Sequence, residues 1–163
     1  MPRRSYAPRL RPVFIYGTLR SMPVLSWVLT GKSTNTEVVS KLIRPARIHG
    51  YARFSLKNRD YPGVVKHYPE STVDGYLLKI GADAERQKLD EFEGMSYKST
   101  TVTVSLVDDQ GRLTEDTVEA DMYIWAGAPS AVTDKPWDLD TFVETRLENW
   151  LELFEALGSD DEE

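Results

Sequence analysis

The sequence predicts an α+β domain built on a mixed β-sheet that can curl into a barrel-like form flanked by helices. Three observations carry this reading. The order of segments, β-α-β-β-β-α-β-β-α, holds too few crossover helices for a doubly wound parallel sheet. Thr72–Ile80 is apolar on more than one face, as a central strand should be. Thr100–Val107 and Thr117–Trp125 flank Asp108-Asp109-Gln110-Gly111, whose turn chemistry predicts a hairpin with a long loop.

The remaining elements come in chain order. Pro12–Tyr16 is a short apolar run ended by Gly17, which suits a buried strand. Val24–Leu29 reads as helix and stops at Gly31. Leu42–Phe54 is β-like, and Val64–Tyr68 comes after a Tyr61-Pro62-Gly63 turn. Ala84–Glu93 reads as a helix with Asp83 as N-cap and Gly94 as its stop. A closing helix runs from Leu139 to Leu157, capped by Asp138, with Phe142, Leu147, Trp150, Leu151, Phe154 and Leu157 at helical spacing. Residues 1–10 read as a flexible basic arm, 11–157 as one domain and 158–163 as an acidic tail.

Composition excludes several kinds of chemistry. A net charge of −6 repels a phosphate backbone over most of the surface, so nucleic acid is not an expected partner. The absence of cysteine removes thiol catalysis, disulfides, zinc ribbons and iron–sulfur ligation, and agrees with a cytoplasmic setting. No apolar run approaches a membrane span, and the N-terminal arginines precede no apolar stretch of a secretory signal. His49 and His67 are the only histidines, both in strand-like segments, so neither a metal nor another cofactor is expected.

Two places remain that could carry chemistry. Gly17 comes directly after a buried strand, where a missing Cβ lets backbone approach a ligand and leaves N–H groups free for a carboxylate or a developing oxyanion. A simple tight turn fits the same residues. In the Ala84–Glu93 helix, at about 100° per residue, Glu93 falls roughly 40° from Leu89, beside the apolar stripe shared with Phe92. Glu91 falls on nearly the opposite side, in water. Contact with the core, the helix C-terminus and nearby Asp90 all push the Glu93 carboxyl upward. The plain alternative is a glutamate hydrogen-bonded for structure.

Taken together, these residues resemble the γ-glutamyl cyclotransferase-like family, in particular its branch of plant avirulence-induced proteins and γ-glutamylamine cyclotransferases. The matching pieces are Phe14-Ile15-Tyr16-Gly17-Thr18-Leu19-Arg20, Tyr61-Pro62-Gly63, Asp74-Gly75-Tyr76-Leu77-Leu78, Leu89-Asp90-Glu91-Phe92-Glu93-Gly94 with Tyr97, and Ala120–Trp125. Trp137-Asp138 and the closing helix resemble the plant branch. The resemblance implies a small β-barrel with a cavity beside the Tyr16–Leu19 turn. It implies Glu93 as the catalytic carboxylate, and substrate held by Tyr16, Gly17, Thr18 and Leu19, largely through backbone groups.

Arg20 is a further candidate, for the substrate α-carboxylate, although an arginine at a helix start also suits solvent. Tyr97 would steer Glu93 or line the pocket, or else simply begin a strand. The tryptophans Trp125, Trp137 and Trp150 read as core or pocket-rim residues. The implied activity turns a γ-glutamyl amide into 5-oxoproline and a free amine, and the implied partner is a small γ-glutamyl molecule. A non-catalytic binding or interaction module on the same fold is the alternative. The sequence does not choose among an amino acid, cysteinylglycine and a lysine ε-amine as leaving group.

Overall fold

Alternation along the first strand, β1 (Val13–Ile15), divides the core in two. Phe14, with Tyr16 just beyond, packs among Ile48, Leu77, Val104 and Met122. Val13 and Ile15 point the other way, toward Val24, Leu25, Leu89 and Phe142. The computed structural model describes residues 10–59 and 61–152. The basic arm expected over 1–10, apart from Leu10, and the acidic segment 158–163 lie outside these residues.

The first apolar group fills a closed barrel of β1, β2 (Ile43–His49), β5 (Thr72–Leu78), β6 (Tyr97–Val107) and β7 (Leu113–Trp125). Its strand order is β1-β5-β2-β6-β7. β5 lies between β1 and β2 and is antiparallel to both; Val73 and Leu77 face the barrel core while Tyr76 and Leu78 join the apolar group under the helices, so both of its faces carry apolar residues. β6 and β7 form the expected hairpin. Its loop is shorter than the sequence suggests because β7 begins at Leu113. Asp108 closes the loop, its Oδ1 accepting from the N–H groups of Gln110 and Arg112 at 2.9 Å.

The second apolar group seats the helices α1 (Met22–Thr30) and α4 (Leu139–Thr145) and one face of α3 (Asp83–Glu93) against the barrel. Asp138 caps α4 as expected, accepting from the Thr141 N–H at 3.0 Å. The expected cap of α3 shifts by one residue: Ala82 occupies that position and Asp83 begins the helix. Glu85 reaches back to the chain before the helix, its Oε1 accepting from the Gly81 N–H at 2.8 Å.

Other boundaries also differ from expectation. Leu42–Phe54 is not one segment, because Gly50 takes φ +87° and turns the chain out of the barrel. Beyond this glycine, β3 (Tyr51–Leu56) joins β4 (Pro62–Lys66) and β8 (Val132–Pro136) in a separate sheet ordered β4-β3-β8. Pro62 and Gly63 therefore belong to a strand, not a turn; as a first strand residue Pro62 gives up no central ladder donor. The five-residue α2 (Thr36–Ser40) is too short to show a period, and β8 is mostly exposed with a charged centre. The closing helix leaves α geometry at Arg146 and resumes over 147–152, while Phe154 and Leu157 lie outside the described residues.

Candidate active site

Glu93 is the final residue of α3, and Gly94 stops the helix there, its N–H donating to Asp90 O at 3.0 Å. On the inward side of this helix Leu89 is fully buried, and Phe92 and Glu93 are half-buried. Glu91 is exposed and only loosely met by Gln87, at 3.4 Å. The helical phase read from sequence is the phase observed.

Glu93 faces a cavity of about 250 Å³. Its floor is the end of β1, with Phe14, Ile15 and Tyr16, continued by Gly17, Thr18 and Leu19. Tyr97 and Tyr123 reach it from the β6–β7 hairpin. Tyr61, Pro62, Phe92 and Trp150 complete the lining. Glu93 is the only charged side chain among the described residues that line it. Burial pushes the Glu93 carboxyl from 4.5 up to about 8, and the charge of Asp90 adds to the rise. No hydrogen bond or cation among the described residues offsets these two effects. A carboxyl group that titrates near neutrality can both accept and return a proton at working pH.

The phenols around it do not share that property. Tyr16 donates its hydroxyl to the Tyr123 backbone carbonyl, and Tyr97 donates to the Pro62 carbonyl at 2.6 Å. Burial, and after it the nearby Glu93 charge, holds both phenols well above their ordinary value, so both stay protonated. They shape the cavity, and Glu93 is the group there whose value lies near neutral pH.

The turn after β1 is a single 3₁₀ turn, Thr18–Arg20. The Arg20 and Ser21 N–H groups donate to Gly17 O and Thr18 O, at 2.9 and 3.0 Å. The preceding N–H groups of Thr18 and Leu19 have no such partner among the described residues, the usual condition at a helix start. Gly17 is needed for a reason beyond ligand approach. A Cβ there would come within 2.9 Å of Pro62 Cγ, so the barrel strand and the second sheet meet at this glycine.

The structure thus brings Tyr16, Gly17, Thr18, Leu19, Glu93 and Tyr97 to one cavity and leaves Arg20 out. The Arg20 guanidinium lies 5.9 Å from the Tyr76 ring centre instead. It also sits near Arg53, whose pKa falls to about 10 through burial and then through Arg20's charge. Phe14, Ile15, Tyr61, Pro62, Phe92 and Tyr123 are lining residues to which the sequence reading assigned no site role. Only the Tyr61-Pro62-Gly63 motif hinted at two of them. The histidines stand apart, His67 stacked edge-on to Tyr68 at 4.6 Å and His49 exposed on β2.

This fold is that of a known class. Residues 13–140 match the family model described as "Gamma-glutamyl cyclotransferase, AIG2-like". The chain belongs to that family. It is 27% identical to Protein AIG2 C of Arabidopsis thaliana over 153 residues, covering 94% of this chain and 84% of the relative. It is 28% identical to AIG2-like protein C of the same plant, over 85% of this chain and 73% of that one. A solution structure of an Arabidopsis thaliana protein superposes with a TM-score of 0.58 at 26% identity, covering 98% and 88% of the two chains. An AIG2-like protein from Mus musculus shares the fold, with a TM-score of 0.51 at 17% identity over 81% and 88%.

Proposed function

We propose that the protein is a γ-glutamyl cyclotransferase that converts a γ-glutamyl amide into 5-oxoproline and a free amine, with Glu93 as general acid and base. The observation that carries this is Glu93 itself: a carboxyl raised to about 8, and the one charged side chain among the described residues that line the cavity beside the Gly17–Leu19 turn. A binding pocket for a neutral ligand has no need of such a group. Family membership supplies the reaction class.

Nucleophile and electrophile belong to one substrate molecule, so positioning supplies much of the rate. The substrate α-ammonium gives a proton to Glu93, and the freed lone pair attacks the γ-carbonyl carbon. A five-membered ring closes and the carbonyl oxygen becomes an oxyanion, which the N–H groups of the turn meet. Glu93 returns its proton to the departing nitrogen as the old C–N bond breaks and the carbonyl re-forms. The surplus proton on the ring nitrogen leaves through the same carboxylate, so the amine departs as ammonium. Water, metal and covalent intermediate have no part in this sequence of bonds.

The test is a product screen for 5-oxoproline against γ-glutamyl dipeptides, γ-glutamylamines and glutathione. The reading predicts 5-oxoproline and amine in equal amounts, with or without a chelator. Binding of these compounds without turnover would instead support a binding module on the same fold.

A further inference from the structure

On that reading, we infer that Arg53 is a positioning residue: it fixes the Tyr16–Gly17 peptide so that the Gly17 N–H faces the cavity and meets the oxyanion. Arg53 stands on β3 in the second sheet, and its side chain reaches across to the barrel. Its Nη1 donates to the Tyr16 carbonyl at 2.7 Å and to the Asp74 carbonyl at 3.1 Å. The guanidinium lies 5.9 Å from the centre of the Trp137 ring, so packing as well as hydrogen bonding holds it. Its pKa of about 10 keeps it cationic at working pH despite burial and the nearby Arg20 charge.

Arg53 does not line the cavity, whereas Tyr16 and Gly17 do. The Tyr16 carbonyl is therefore turned outward, to Arg53. The peptide is trans, so the Gly17 N–H points the opposite way. No backbone carbonyl among the described residues accepts from it. A peptide that precedes glycine flips at little steric cost, because glycine takes φ values that a Cβ would forbid. The Pro62 contact demands glycine at this position, which leaves the peptide free to turn over unless its carbonyl is held. A flip would place the Tyr16 oxygen where the oxyanion forms, and two oxygens would face each other. The charged donor also polarises the peptide, which makes the Gly17 N–H a stronger donor in turn.

The test measures kcat, KM and Tm for Arg53→Gln, Arg53→Lys and Arg47→Gln on the best substrate of the screen. Arg47 binds the Asp74 side chain from β2, so its variant removes a nearby cation without touching Tyr16. The oxyanion exists only in the transition state, so Arg53→Gln should lower kcat at least about tenfold and change KM less than about threefold. Arg53→Lys keeps a charged donor and should restore most of that loss, while Arg47→Gln should change kcat less than about twofold. The Tyr16 carbonyl-carbon resonance of Arg53→Gln should move upfield as the hydrogen bond is lost. A smaller kcat loss in folded Arg53→Gln, a loss carried by KM, no recovery with lysine, or an equal loss in Arg47→Gln overturns the inference. If Arg53→Gln does not fold, the wild type is titrated with 5-oxoproline: the Gly17 amide proton should move downfield as the lactam carbonyl accepts from it, and an unmoved amide overturns the inference. If the screen yields no 5-oxoproline at all, the cyclotransferase reading is what fails. The carbonyl resonance then decides the clamp by itself: an upfield move in Arg53→Gln supports it, and an unmoved resonance overturns it.

Discussion

The Tyr123 hydroxyl donates to Oδ1 of Asp90 at 2.5 Å, tying barrel strand β7 to the last turn of the helix that carries Glu93. Arg86 holds the same Asp90 oxygen from the other side at 3.1 Å, and its guanidinium also binds the buried Asp121 on β7. Burial pushes the Asp121 carboxyl up, but hydrogen bonds from Arg86, Arg11 and Thr101 outweigh it and hold the group below its usual range. Asp90 is thus a fixed negative charge near Glu93, and it contributes to the raised Glu93 pKa.

Asp90→Asn should therefore lower that pKa. The ascending limb of the kcat/KM–pH profile, where Glu93 loses its proton, is expected at about 8 in the wild type and should move to lower pH. An unmoved limb, or one moved upward, would show that burial alone sets the value.

Stability should carry the same signature. Glu93 ionises near 4.5 in the unfolded chain and at about 8 in the fold, so between these values the folded state binds more protons. Wild-type stability should fall as pH rises through this window. Glu93→Gln removes the term, so its Tm should exceed that of the wild type by a few degrees at pH 8.5, with the gap closing by pH 4.5. A gap independent of pH would contradict the assigned shift.

Gly17→Ala tests the contact between the two sheets. Its Cβ would press on Pro62, whose carbonyl takes the Tyr97 hydroxyl, so one added methyl displaces both the turn and a cavity wall. Tm should fall, and kcat/KM should drop at least about tenfold, equivalent to about 1.4 kcal/mol of transition-state binding. Unchanged melting with unchanged kinetics would mean that Pro62 yields freely.

The range of the interactions that set each feature decides which of them were legible in the sequence. The phase of Glu93 depends only on neighbours within one helix, and so do the caps at Asp138 and Gly94. The β6–β7 hairpin is likewise local, written in alternation and a turn. Local signals fail where partners are distant. Pro62-Gly63 looks like a turn until β3 pairs with it, and Leu42–Phe54 looks continuous until Gly50 sends its halves to different sheets. The cavity lining brings Tyr61 within 6.4 Å of Trp150, far apart in sequence, a juxtaposition that no spacing rule encodes. Arg20 failed in the opposite way: it sits next to the site in sequence, yet its side chain lies over Tyr76, outside the cavity.

The central claim rests on one carboxyl group, and two matched variants test it most directly. Glu93→Gln keeps size and polarity but cannot accept the ammonium proton, while Glu91→Gln makes the same change two residues away on the exposed face. Formation of 5-oxoproline from the best substrate of the screen should fall at least about a thousandfold in the first variant, given the weight of acid–base catalysis and its use at both steps, and less than about twofold in the second. A Glu93→Gln enzyme that is folded and turns over at a substantial fraction of the wild-type kcat would contradict the account, as would equal losses at the two positions.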